Sequence, residues 1–79
     1  MPWVDVIWTA ENEAHILDAG VGMAEVEYVL HHPVDSGISR SSGRPFVVGY
    51  SLEGRRIMVV YEDVDAVTVY PITAYGLED

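Results

Sequence analysis

Apolar and polar positions change period several times along this chain, and each change marks an element. Residues 3–8, Trp-Val-Asp-Val-Ile-Trp, are β-branched and aromatic and read as an opening strand. Thr9 has N-cap chemistry, and Glu11 and Glu13 follow in a first turn where the helix dipole favours negative charge. Ala14 and Leu17, with Ala10 and Val21 a turn away at either end, form the apolar stripe expected of this short helix. Gly20 supplies the left-handed position that ends it. A second helix is expected from Gly22 to about His32, with Met23, Val26, Val29 and Leu30 on one face and Pro33 as its stop. Residues 34–44 are rich in Ser and Gly and read as a loop. Three strands follow at 46–51, 56–62 and 66–74. The first two are joined across 52–55, where Gly54 suits a positive φ.

Helices grouped ahead of a meander predict an α+β fold. The expected architecture is an N-terminal strand and a helix pair on one face of a three- to four-stranded antiparallel sheet. Trp8, Leu17, Val26, Leu30, Val48, Ile57, Val59 and Val69 are expected in one core. In 56–62, alternation separates Ile57, Val59 and Tyr61, placed under the helices, from Arg56, Met58, Val60 and Glu62 on the open face. Arg56 is expected near Arg44, at the start of the neighbouring strand. Pro71 requires that its segment be an edge or carry a bulge.

The length of 79 residues allows one domain, 1–79, and at this size dimerisation or a partner is a common supplement to the core. There is no cysteine, so neither a disulfide nor a thiolate metal site can staple the fold. No apolar run is long enough to span a bilayer and no leader-like segment opens the chain, so the reading is a cytoplasmic protein without a membrane partner. A net charge of −9 argues against broad attraction to nucleic acid.

Charge is nonetheless segregated. The four cationic side chains are Arg40, Arg44, Arg55 and Arg56, there is no lysine, and of thirteen carboxylates only Glu53 lies within 40–56. Guanidinium forks match phosphate or carboxylate, which makes this stretch the place to look for an anion; the alternative is simple pairing with surrounding acids. No metal or cofactor motif is present: His31 and His32 are consecutive and point apart on a helix, where they suit its C-terminal end. One constellation fits metal-free phosphodiester chemistry. His15 offers a base or acid, Arg55 and Arg56 charge stabilisation, Tyr75 a proton donor, and Arg40 and Arg44 substrate binding. The competing view of His15 is an ordinary helix-surface residue flanked by Glu11 and Asp18.

Several segments carry a resemblance. Ile7-Trp8, Glu11-Asn12, Gly20-Val21, Glu25-Val26-Glu27-Tyr28-Val29-Leu30 and Pro33 resemble the N-terminal half of BrnT-like toxins. Gly49-Tyr50, Gly54-Arg55, Ile57-Met58-Val59-Val60-Tyr61 and Val69-Tyr70-Pro71-Ile72-Thr73-Ala74-Tyr75 resemble that family's meander and closing strand. The resemblance implies a RelE-like fold and the toxin of a type II toxin–antitoxin pair, an mRNA endoribonuclease neutralised by a cognate antitoxin. Where the family has basic residues in its first helix, this chain has Asn12, Glu13 and His15, and where the family has an arginine after Ile-Ser/Thr-Ala, this chain has Tyr75 after Ile72-Thr73-Ala74. A second expectation follows: a non-catalytic interaction module on the same scaffold, its RNA-binding charge lost and its acidic face engaging a partner.

Overall fold

The computed structural model describes residues 5–77. In order the elements are β1 (Asp5–Val6), α1 (Ala10–Asp18), α2 (Met23–His31), β2 (Asp35–Ile38), β3 (Pro45–Tyr50), β4 (Arg56–Asp63) and β5 (Thr68–Gly76). The α+β reading holds, but the sheet has five strands, ordered β1-β5-β4-β3-β2. Its meander is antiparallel as expected. β1 departs from that pattern, pairing parallel to β5 through Asp5–Thr68 and Val6–Val69. The Trp3 and Val4 portion of the expected first strand lies outside the described residues.

The extra strand comes from the segment expected to be loop. Residues Asp35 to Ile38 pair antiparallel with Val48 to Pro45 and form the sheet edge. Asp35, Ser36 and Ile38 are exposed, so no alternation of buried and solvated positions was there to betray the strand. Main-chain pairing to β3 makes it, not side-chain burial.

The first helix begins where Thr9 places it. Thr9 is extended (φ −129°, ψ 165°) and its side chain accepts from the Asn12 amide, while Asn12 returns the bond to the Thr9 backbone. Its buried face differs from the expected stripe. Asn12 and Ile16, four residues apart, face the sheet, whereas Ala10, Ala14 and Leu17 are exposed, Leu17 by 60%. The rotation follows from Asn12, whose hydrogen bonds to the sheet edge turn that side inward. Gly20 closes the helix with φ +80°. In α2, Val26, Val29 and Leu30 are buried as the spacing requires, and Glu25 caps the Gly22 amide at 3.0 Å.

Ile16, Val26, Val29, Val47, Ile57, Val59, Val69 and Ala74 belong to the core between helices and sheet, with Val6, Trp8 and Tyr61 packed at its margin. Val48 is the other correction. It pairs with Met58, while Val47 pairs with Val59, so Val48 belongs to the opposite face of the sheet. Pro71 is accommodated by a bulge: Val60 pairs with Thr73 but Tyr61 with Pro71, leaving Ile72 extra in β5. Among the described residues no helix is long and apolar enough to cross a membrane.

Candidate functional site

Past Val69, β5 loses its β1 neighbour, and α1 runs alongside that free margin. The buried Asn12 amide joins the two, donating to the Ile7 carbonyl at 2.9 Å and to the Pro71 carbonyl at 3.1 Å. Its oxygen accepts from the Thr9 amide at 2.7 Å. A side chain thereby supplies a donor to a strand carbonyl at the bulge. Tyr70 reaches the same helix start, its hydroxyl 3.2 Å from Thr9 Oγ1.

A groove of about 320 Å³ lies above this seam, lined by Glu11, Asn12, His15, Tyr70, Ile72 and Thr73. His15 is exposed on it, one turn beyond Glu11 on the same side of α1. A carboxylate beside the imidazole and a hydroxyl from Tyr70 can hydrogen-bond a polar ligand, but no guanidinium lines the groove. Tyr75 does not line it either. Tyr75 stands on the open face of the sheet, opposite Met58.

The arginines go to different places. Arg55 leaves the β3–β4 turn on the helix side, where Nη1 donates to the Gly20 carbonyl at 2.7 Å and lies 3.7 Å from Glu25 Oε1. Gly76 makes room for it: a Cβ there would stand 2.7 Å from Arg55 Nη2. Its guanidinium thus caps the carbonyl end of α1, favourable for the helix dipole. Arg56 belongs to the opposite face, paired across the sheet with Tyr50. Arg44 meets Glu62 at 3.6 Å at the far end of β4. Six residues of strand separate positions 56 and 62, roughly 20 Å at about 3.3 Å per residue, so the expected neighbourhood of Arg44 and Arg56 is not formed. Arg40 is exposed in the β2–β3 connection, at the Arg44 end. Segregated in sequence, the four cations are dispersed in space.

Two features went unread in the sequence. Asn12 was legible as the third residue after a Thr N-cap, the spacing of a capping box. The other is the apolar centre that Phe46 and Val48 add, beside Met58 and Val60, to the face of the sheet away from the helices, near Tyr50, Arg56 and Tyr75. Tyr50 and Tyr75 are 47% and 41% exposed. The alternation Phe46, Val48, Tyr50 was its signal. Among the described residues no three His, Asp or Glu side chains gather as a metal site requires.

No family model, curated protein or solved structure matches the chain.

Proposed function

We propose that this domain is a non-catalytic protein-interaction module on a BrnT-like scaffold, its acidic helix layer engaging a basic partner. The observation that carries this reading is the divergence of Arg55 and Arg56. One is engaged by the Gly20 carbonyl and Glu25 on the helix side, and the other points from the opposite face. Metal-free RNA cleavage needs cations converging on one phosphate beside a proton-transfer group, and the groove that holds His15 offers Glu11 instead. Beside Glu25, which Arg55 meets, and Glu27, which accepts from the Trp8 indole at 2.7 Å, the helices carry Glu11, Glu13 and Asp18 and no Lys or Arg of their own. A surface of that sign steers basic partners and repels RNA.

The test is expression of the protein alone, with growth and RNA integrity followed, and purified protein assayed against RNA in EDTA. Unimpaired growth, intact RNA and salt-sensitive binding to a basic protein encoded beside it are the expected results. Growth arrest relieved by a folded Arg55→Ala, Arg56→Ala double variant, with cleavage in EDTA, establishes the toxin ribonuclease instead.

A further inference from the structure

The open face of the sheet is a surface separate from the acidic helix layer. Its centre is Val48 and Val60, each less than a tenth exposed, flanked by half-buried Phe46 and Met58. The Phe46 ring extends the apolar area over β2, lying where a Cβ on Gly37 would stand 2.8 Å from it. Phe, Met, Tyr and Arg are the residue types enriched where proteins meet, and Tyr50 and Tyr75 are the large aromatic side chains most exposed on this face.

We propose that this face packs on the same face of a second copy, with the two β4 strands antiparallel. The argument is charge complementarity within β4. Its outward positions run Arg56, Met58, Val60, Glu62. A two-fold axis lying in the interface, across the strand at its middle, sets Arg56 of each copy over Glu62 of the other and Met58 over Val60. Both ion pairs form at once because the contact is isologous. The alternative two-fold, along the strand, sets like ends together and gains neither pair. Among the described residues the ion pairs are Arg44–Glu62 and Arg55–Glu25; Arg56 takes part in neither, and in the dimer it joins Arg44 on the exposed Glu62 carboxylate. Aligned packing of two twisted sheets accommodates this arrangement.

The area fixes the strength. Five strands at about 4.8 Å spacing and six residues at about 3.3 Å give a face roughly 20 Å square, or ~400 Å² per copy. The pair therefore buries roughly 800–1,000 Å², at the low end for specific complexes. The dimer is weak and reversible, opposed at long range by the net charge of −9 on each copy.

Sedimentation velocity over a micromolar to millimolar series tests it. Wild-type protein shifts from monomer to dimer as concentration rises. Arg56→Glu alone and Glu62→Arg alone each weaken self-association by roughly tenfold or more, because like charges then face each other. An equimolar mixture of the two variants restores a dimer. In the mixed pair the carboxylate introduced at position 56 of one variant meets the guanidinium introduced at position 62 of the other. The unaltered Glu62 of the first meets the unaltered Arg56 of the second. Circular dichroism of each variant checks that its fold is retained. Wild-type protein that stays monomeric throughout the series, or a dimer indifferent to both substitutions and not restored by mixing, overturns the proposal. Neither result bears on growth arrest or RNA cleavage, which decide the separate reading of the helix layer.

Discussion

Asn12 and Pro71, 59 positions apart, are joined by a buried hydrogen bond of 3.1 Å from the side-chain amide to the proline carbonyl. The same amide group donates to Ile7, so one side chain fastens the end of β1, the start of α1 and the bulge of β5. Asn12→Ala leaves the Ile7 and Pro71 carbonyls without these donors and removes half of the capping box. The expected loss is about 2–4 kcal/mol, since each unsatisfied buried group costs about 1–3 kcal/mol. Chemical denaturation measures it; a loss below about 0.5 kcal/mol shows that water replaces the amide.

The core correction gives a paired prediction. Ile16→Ala removes a fully buried side chain and is expected to destabilise by about 2–5 kcal/mol through transfer and cavity terms, as is Ile57→Ala. Leu17→Ala, next to Ile16 but exposed, is expected within about 0.5 kcal/mol of wild type. Equal effects at 16 and 17 would mean that the helix is rotated from the orientation described.

Arg55 and Arg56 separate in the same way. Arg55→Ala removes the bond to the Gly20 carbonyl and the contact with Glu25, and about 1 kcal/mol of stability is expected to go with them, their partial exposure limiting the effect. Arg56→Ala is expected to leave monomer stability nearly unchanged. Thermal melts of the two single variants at low protein concentration, where the chain is monomeric, distinguish them.

Two groups give stability a pH dependence at the extremes. Burial, with the Asp63 carboxylate adding to it, pushes the Tyr61 hydroxyl above its usual pKa. The folded state therefore holds that proton more tightly than the unfolded chain. Its contribution is complete below the ordinary tyrosine pKa and is lost as pH rises through the raised value. Tyr61→Phe is expected to flatten this alkaline limb in denaturation measured across pH.

Asp65 acts at the other end. The Val67 amide, and after it the Thr68 hydroxyl, hold its carboxyl below the usual range. Its contribution is present above the ordinary carboxylate pKa and is lost as pH falls through the lowered value. Asp65 is fully exposed, so the effect is local: the β4–β5 connection loosens before the fold does. A carbon-detected NMR titration of the Asp65 carboxyl is expected to show a midpoint below that of an unstructured aspartate, and Asp65→Asn to abolish the acid-induced shifts of Val67 and Thr68.

What the sequence determined by itself was local. Thr9, Gly20, Gly22 and Gly54 act through backbone geometry and hydrogen bonds within a few residues, so the helix ends and the β3–β4 turn were readable where they occur. The alternation in 56–62 likewise assigned Ile57 and Val59 to the core and Arg56 to the open side. Tertiary structure decided everything that depends on a distant neighbour. The strand at Asp35–Ile38 exists because β3 supplies its main-chain partners, the inward turn of α1 because Asn12 finds Ile7 and Pro71, and the face of Val48 because its pairing register sets it beside Met58. The four arginines show the same limit. Their closeness in sequence is a fact about composition, while Arg55 leaves the turn before β4 on the helix side, Arg56 opens β4 on the other face, and the length of β4 holds Arg44 away from both. Side chains on a pleated sheet become neighbours through register and face, which no single segment of the chain contains.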